Sequence, residues 1–489
     1  MSEEKVDRKD TGKIDLGTVQ NSRRKFLKGA GAGALMLGGT SVMTASASGA
    51  SDTNCKTPGC DYDVVVIGGG FAGVTAARDS RENGYKTLLL EARNRFGGRT
   101  FSSEFEGHKV ELGGTWIHNS QPFVWAEKER YDLDVIETPG AVPDSMIAVI
   151  NGQLKQLTEA EVYAVSEAFN AFVADGRVII ERPYELLHVK GKALAADKMT
   201  AKDRLDQLDL TPLQYSLMDS LIGGMAHNTS DQVSYLEILR WCMLPGGIFP
   251  MWMDAITRFK LKDGTIGLID KMLEDGKPDV RMSTPVKSVE DLGERVRVTT
   301  SRGESIISAS VIVAMPMNVL PSVQFTPALD PKLVAAAQER HTGQGFKIFI
   351  KVKGKLGKVF ASDKAEAPLS LLFTYSESDD HTLLCGFGND PKKLDVYDDD
   401  AVQAEVSKFF PGAKVQSSFS YDWQLDPYAK GTYCSYKPGW IEKYYAHFQQ
   451  DRGRILFGQG DHGEGWRGFI DGAIGAGTKA AQRAKKLLG

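Results

Sequence analysis

An unbroken apolar run, Val64-Val65-Val66-Ile67, stops at Gly68-Gly69-Gly70-Phe71-Ala72-Gly73, and a helix-forming segment follows as far as Asn83-Gly84. A second apolar run, Thr87 to Leu90, then closes on Glu91. Runs without polar alternation suit strands buried on both faces of a parallel sheet. The glycines have separate tasks. Gly68 permits the tight turn, Gly70 lets a pyrophosphate approach the backbone, and Gly73 lets the helix pack on the strand. The helix start offers free N–H groups to phosphate, with Phe71 and Ala72 in its first turn. Glu91, at the tip of the second strand, can accept from both hydroxyls of a ribose. Strand, glycines, helix, second strand and acid fall in the required order within about thirty residues. The chain is read as binding a dinucleotide.

With 489 residues there is room for more than one sizeable core. The formal charge is −4, with +3 in residues 1–47 and hence −7 elsewhere. An acidic body argues against nucleic acid as a partner. Ser22-Arg23-Arg24-Lys25-Phe26-Leu27-Lys28, a mild apolar stretch from Gly29 to Met43, and Ala45-Ser46-Ala47 read as a twin-arginine export signal with a small-residue cleavage site. The stretch is too short and glycine-rich to span a membrane. The expected mature protein is periplasmic and exported folded. Of the five cysteines, Cys55 and Cys60 flank a turn that an oxidising compartment would allow to close as a disulfide. Cys242, Cys385 and Cys434 read as core. Neither these nor the eight dispersed histidines have metal-ligand spacing, so no metal site is expected.

Beyond Glu91, Ala92-Arg93-Asn94-Arg95-Phe96-Gly97-Gly98-Arg99 makes a loop able to wrap a phosphate, with Arg99 as charge partner. A charged hydrogen bond of that kind contributes about 1.5–3 kcal/mol. Next, Val110-Glu111-Leu112-Gly113-Gly114-Thr115-Trp116 brings a strand to a glycine pair against which a flat ring system can lie. Four blocks then carry a resemblance: the glycine fingerprint, Glu91-Ala92-Arg93 with Gly97-Gly98-Arg99, Gly113-Gly114-Thr115-Trp116, and a C-terminal block from Ile455 to Ala473. From Tyr62 onward the chain resembles the flavin-containing amine oxidases, the monoamine oxidase superfamily. It is most similar there to the branch that oxidises nicotine and pseudooxynicotine, whose members also carry twin-arginine signals.

The resemblance implies an α/β protein of two domains: a Rossmann-like FAD domain with an inserted substrate domain of mixed sheet and helices. Residues 61–135, 262–336 and 427–489 would form the discontinuous FAD domain, and 136–261 with 337–426 the substrate domain. It places Val286 where its backbone touches the adenine, Asp461 toward the ribityl–pyrophosphate region, and Ile470 at the start of a helix aimed at the flavin. Lys347 matches the lysine that reaches the flavin through a water. By pattern alone it is the polar face of a strand, and Lys351 and Lys353 share its spacing. Tyr433 and Phe469 match two walls of an aromatic cage. Thr432 stands where monoamine oxidases carry the cysteine that bonds the flavin, and Cys434 is one place too far along, so FAD is expected to be non-covalent. Asp461, Gln459 and Gly475 depart from the usual Glu, Gly and Glu, and Asn119 from a tryptophan of the nicotine enzymes.

Residues 136–261 read as helical. Met225, Trp241, Met243, Phe249, Met251 and Trp252 offer either core or a pocket wall for a ring-bearing substrate. The expected reaction is oxidation of a C–N bond by hydride transfer and imine hydrolysis, with pseudooxynicotine giving a keto-aldehyde and methylamine. Nicotine, 6-hydroxynicotine, a polyamine or another amine are the alternatives, and a non-catalytic FAD-binding protein is the reading from another class. Oxygen or a c-type cytochrome would take the electrons, and a homodimer is left open.

Overall fold

The computed structural model describes residues 55–448 and 450–489, so the expected export signal lies outside the described residues. Val64, Val65, Val66, Leu88 and Leu89 have no solvent exposure. They sit in the middle of an eight-stranded sheet whose alternate residues feed two separate cores. Val65, Ile67, Leu88 and Leu90 face one core, while Val64, Val66 and Leu89 face the other. This is why the runs lack polar alternation. The parallel part of the sheet runs Asp279–Arg281, Thr87–Leu90, Tyr62–Ile67, Ser305–Val313, with Ile455–Phe457 beside the second half of the last strand. An antiparallel meander, Val286–Asp291 and Val296–Thr300, leads into Ser305–Val313. The helices Phe71–Glu82, Gly264–Gly276 and Ile470–Leu488 cover one face through Val74, Leu268, Ile269 and Ile474.

The fingerprint turn is set by contact. A Cβ on Gly73 would lie 1.8 Å from the Gly68 carbonyl oxygen, so only glycine lets helix and strand close together here. In the C-terminal helix a Cβ on Gly475 would come 2.9 Å from the Phe123 ring. That packing accounts for a glycine that costs helix propensity of about 0.5–1 kcal/mol.

A second, seven-stranded sheet runs Val415–Ser420, Phe346–Lys353, His381–Gly388, Leu371–Glu377, Val359–Ser362, Ser145–Ile150, Gln153–Gln156. All its strands come from residues 136–261 and 337–426, and all those of the larger sheet from 61–135, 262–336 and 427–489. The helical reading of 136–261 needs correction at its start. Ser145–Ile150 and Gln153–Gln156 form a hairpin turning on Asn151 and Gly152, both at positive φ (52° and 78°). An Asn-Gly pair between short β-prone runs is a strong hairpin signal that the helical pattern further on, from Glu159, obscures. The three core cysteines are buried, and Cys55 and Cys60 carry free thiols. No described helix is long and apolar enough to cross a membrane.

Gly73→Ala is expected to destabilise the protein by about 1–3 kcal/mol through overpacking and to lower its retention of dinucleotide. Thermal melting with absorbance of bound cofactor checks both, and an unchanged melting temperature would mean that the turn can relax.

Candidate active site

A cavity of about 280 Å³ runs from the glycine fingerprint to the second sheet. Every cofactor-binding and catalytic residue expected from the sequence lines it except Gly73 and Asp461. At the fingerprint end a Cβ on Gly70 would meet nothing nearer than 3.6 Å, so the space over that backbone is open to a ligand. Glu91 accepts from Gly69 N–H (2.6 Å) and Arg93 N–H (2.8 Å), one carboxylate oxygen to each. Each oxygen keeps lone-pair capacity for a hydroxyl. Arg93 is held by Asp426, with Nη2 at 2.5 Å and Nε at 3.2 Å. Val286 lines the same end beside Thr284 and Pro285.

Arg99 lines the middle and pairs with Asp461 behind it. It also donates to the Thr432 carbonyl at 3.0 Å. Asp461 has no solvent exposure, and its second oxygen takes Met317 N–H at 2.7 Å. Burial alone would push the carboxyl pKa up, but Arg99 holds it below the ordinary value. Asp461 therefore does not face the cavity. Its carboxylate positions Arg99, which lines the cavity. His341 and Cys434 gather near it as the three-residue cluster of possible metal ligands among the described residues. The carboxylate's commitment to a guanidinium leaves that cluster without a free anion.

Lys347 is 6% exposed, while Lys351 is half-buried and Lys353 exposed. The strand Phe346–Lys353 is covered on both faces through Ile350, so alternation does not send Lys347 to solvent. Its Nζ donates to Glu111 O (3.1 Å), Gly113 O (2.5 Å) and Thr115 Oγ1 (2.7 Å). Three acceptors match the three protons of an ammonium. Burial draws the pKa below that of an ordinary lysine. In this arrangement the amine holds the Gly113–Thr115 turn.

Tyr433 and Phe469 both line the cavity. The Tyr433 hydroxyl donates to Gly224 O, and Phe469 is wedged edge-on against Trp241 (5.6 Å) and Trp466 (4.9 Å). Beyond them lies an aromatic surface that the sequence reading missed: His227, Phe387, Phe373 and Phe360, with Trp116 across from Phe373 and Phe387. Leu221, Gly224, Met225, Met253, Ile256 and Thr257 complete the wall. Of the six aromatic and sulfur residues expected there, only Met225 lines the cavity. Trp241 and Trp252 are core, Met251 is exposed, and Asn119 is exposed away from the site. The helices turn one face inward, and composition does not say which. Arg95 was also passed over. Its guanidinium donates to the carbonyls of Phe96, Gly98 and Thr100 and so shapes the loop carrying Arg99.

A glycine-cradled dinucleotide site opening into an aromatic, ring-sized chamber defines a flavoprotein oxidoreductase. Residues 71–485 match the family described as flavin containing amine oxidoreductase, and the chain belongs to that family. It is 39% identical to pseudooxynicotine dehydrogenase of a Pseudomonas species, over 98% of each chain. It is 37% identical to nicotine dehydrogenase of Pseudomonas putida, over 96% of this chain and 98% of that one. Cyclohexylamine oxidase from Brevibacterium oxydans shares the fold with a TM-score of 0.74 at 18% identity, covering 87% of this chain and 99% of its own. The protein is a flavin-dependent amine oxidoreductase. The open backbone at Gly70, the free acceptor capacity of Glu91 and the bare glycines at Gly113 and Gly114 fit the group that the family uses.

Asp461→Asn is expected to cost about 3–5 kcal/mol, because it leaves Arg99 with no counter-charge. The parent's depressed carboxyl pKa means that this contribution is complete above about pH 4 and fades as pH falls through the folded-state value. Urea unfolding at pH 7 and in acid checks both statements. A variant as stable as the parent at pH 7 would show that solvent, not Asp461, satisfies Arg99.

Proposed function

We propose that this enzyme oxidises a pyridine-alkaloid amine, pseudooxynicotine foremost, with FAD held non-covalently. The observation that carries the reading is the composition of the far end of the cavity. Its charged lining residues are Glu91, Arg93, Arg99 and Lys347, all within the cofactor blocks or tied to them, and the remaining wall is apolar and aromatic. A diamine needs an acid for its second ammonium, and an amino acid needs an arginine for its carboxylate. Neither lines this end. A flat, neutral ring packs well against the surface that Trp116, Phe373 and Phe387 form together, and a pyridine is such a ring. The likeness to pseudooxynicotine dehydrogenase supports the choice within that class.

When bound, FAD supplies a two-electron acceptor for the amine's α C–H bond. The chain's residues do the rest. Tyr433 and Phe469 confine the amine nitrogen so that this bond meets the acceptor, an effect of orientation rather than acid–base work. Lys347 fixes the Gly113–Thr115 turn beneath. The iminium product is hydrolysed by water to a carbonyl compound and a released amine. Thr432 lines the cavity beside Tyr433 and cannot form a thioether, and none of the five cysteines lines it. Cys434 is buried with Sγ 3.9 Å from Asp461 O. The Ser22–Lys28 motif supports export of the folded, loaded protein to the periplasm.

Anaerobic mixing with pseudooxynicotine, nicotine, 6-hydroxynicotine and a polyamine should bleach the flavin fastest with pseudooxynicotine. Fastest bleaching by the polyamine would overturn the substrate class. Admitting oxygen or cytochrome c afterwards identifies the acceptor. Tyr433→Ala and Phe469→Ala should each slow bleaching about ten- to a hundredfold with flavin retained; parent rates would remove the cage assignment. Acid precipitation of the parent should leave all the yellow colour in the supernatant, and colour in the pellet would mean a covalent link.

A further inference from the structure

We propose that His227 is a positioning residue for the amine-facing wall: an imidazole of fixed tautomer, bonded at both nitrogens, that sets the plane of Tyr433. This rests on the reading of Tyr433 as a wall of the reaction chamber.

His227 ends the helix Pro212–Ala226 in the left-handed conformation, φ 54° and ψ 41°. Glycine is the usual residue at such a stop, and a side chain there costs about 1–2 kcal/mol. The ring gives the position its purpose. Nε2 lies 3.0 Å from the Phe346 carbonyl oxygen, which can only accept, so Nε2 carries the proton. Nδ1 is then an acceptor, and it lies 2.9 Å from Thr432 Oγ1, which donates to it. The imidazole is parallel to the Tyr433 ring within 3°, at a centroid distance of 4.9 Å. Tyr433 is thus pinned by His227 on one face and by Gly224 O, in the last turn of the same helix, at its hydroxyl. The backbone carbonyl of His227 accepts from Gln344 N–H (2.9 Å) and Gly345 N–H (2.8 Å), just before the strand that carries Lys347. One residue therefore registers the helix end, the Thr432–Tyr433 segment and the lysine strand against each other. Burial first, then the nearby Lys347 charge, lowers the ring's pKa to about 4, so it stays neutral and its two bonds keep their direction through the physiological range. A protonated ring would present a second N–H to Thr432 and turn that hydroxyl away.

Two measurements on the holoprotein test this. In protein labelled with ¹⁵N-histidine, the His227 signals, assigned by their loss in His227→Asn, should show a protonated Nε2 and an unprotonated Nδ1 from pH 5 to 8. Thr432→Val, close to isosteric, should move the Nδ1 signal and leave Nε2 in place. In anaerobic flavin reduction, Thr432→Val should be about tenfold slower than the parent, and His227→Asn slower still. Both should keep the substrate dissociation constant within about threefold, and the double variant should be no slower than His227→Asn. A His227 that titrates near pH 6.5, or an Nδ1 signal indifferent to Thr432→Val, overturns the proposal whatever the substrate. So do single variants that reduce at the parent rate, or a double variant whose losses multiply. A parent whose flavin no amine reduces would sink the proposed function instead, and the ¹⁵N spectra alone would then decide whether the network exists.

Discussion

The pair of half-buried Arg99 and fully buried Asp461 joins parts of the chain that lie 362 residues apart in sequence. The guanidinium comes from the loop after the second strand of the fingerprint, the carboxylate from the C-terminal block. Two further segments are tied in through Met317 N–H and the Thr432 carbonyl. A buried ion pair adds little net stability over a packed apolar pair, but removing one partner is severe. Its value here is geometric. It presents Arg99 to the cavity in one orientation and sets Thr432, and hence Tyr433, at a fixed distance from the glycine turns. An Asp where Glu is usual fits this use: the carboxylate is held behind the arginine and does not line the cavity.

Lys347 obeys the same logic with different chemistry. Its ammonium holds Glu111, Gly113 and Thr115 through three hydrogen bonds, and its own strand is held by His227 through Phe346 O. The two glycine-rich turns after the fingerprint are therefore each held by a cation, Gly97-Gly98 by Arg95 and Gly113–Thr115 by Lys347. Neither cation is left without acceptors, which is the condition under which a buried charge is tolerated.

What could be read from the sequence follows from how local each cause is. The fingerprint needs only a strand, a turn and a helix start within one short stretch, so Gly68 to Glu91 announce themselves. The Gly113-Gly114 pair does so for the same reason. Lys347 could not be separated from Lys351 by spacing, because the difference is made by strands packed on both faces of Phe346–Ile350. His227 gave no signal at all. Its role depends on Thr432–Tyr433 and Phe346 coming from two other segments, and a lone histidine at a helix end is ordinary. The aromatic surface of Phe360, Phe373 and Phe387 was hidden in strands buried along nearly their whole length, where nothing marks the side that faces a ligand. The Asn151-Gly152 hairpin, by contrast, was legible in its two turn residues and lost to the stronger helical pattern beyond it.

The charge layout also bears on which form of an amine this chamber admits. Tyr433, Phe469 and Trp116 offer π faces, and attraction between an ammonium and such a face is about 0.5–2 kcal/mol. Against this stands the cost of burying an ammonium with no carboxylate beside it, several kcal/mol even after relaxation. The buried charge of Lys347 adds repulsion that solvent screens poorly. On the proposed reading the second group of terms is the larger, so the chamber would favour the uncharged amine. An uncharged nitrogen is also the one whose lone pair can assist loss of hydride from the adjacent carbon. On that reading, a far wall without carboxylates would serve binding and chemistry together, because an amine that enters uncharged needs no side chain inside to act as its base.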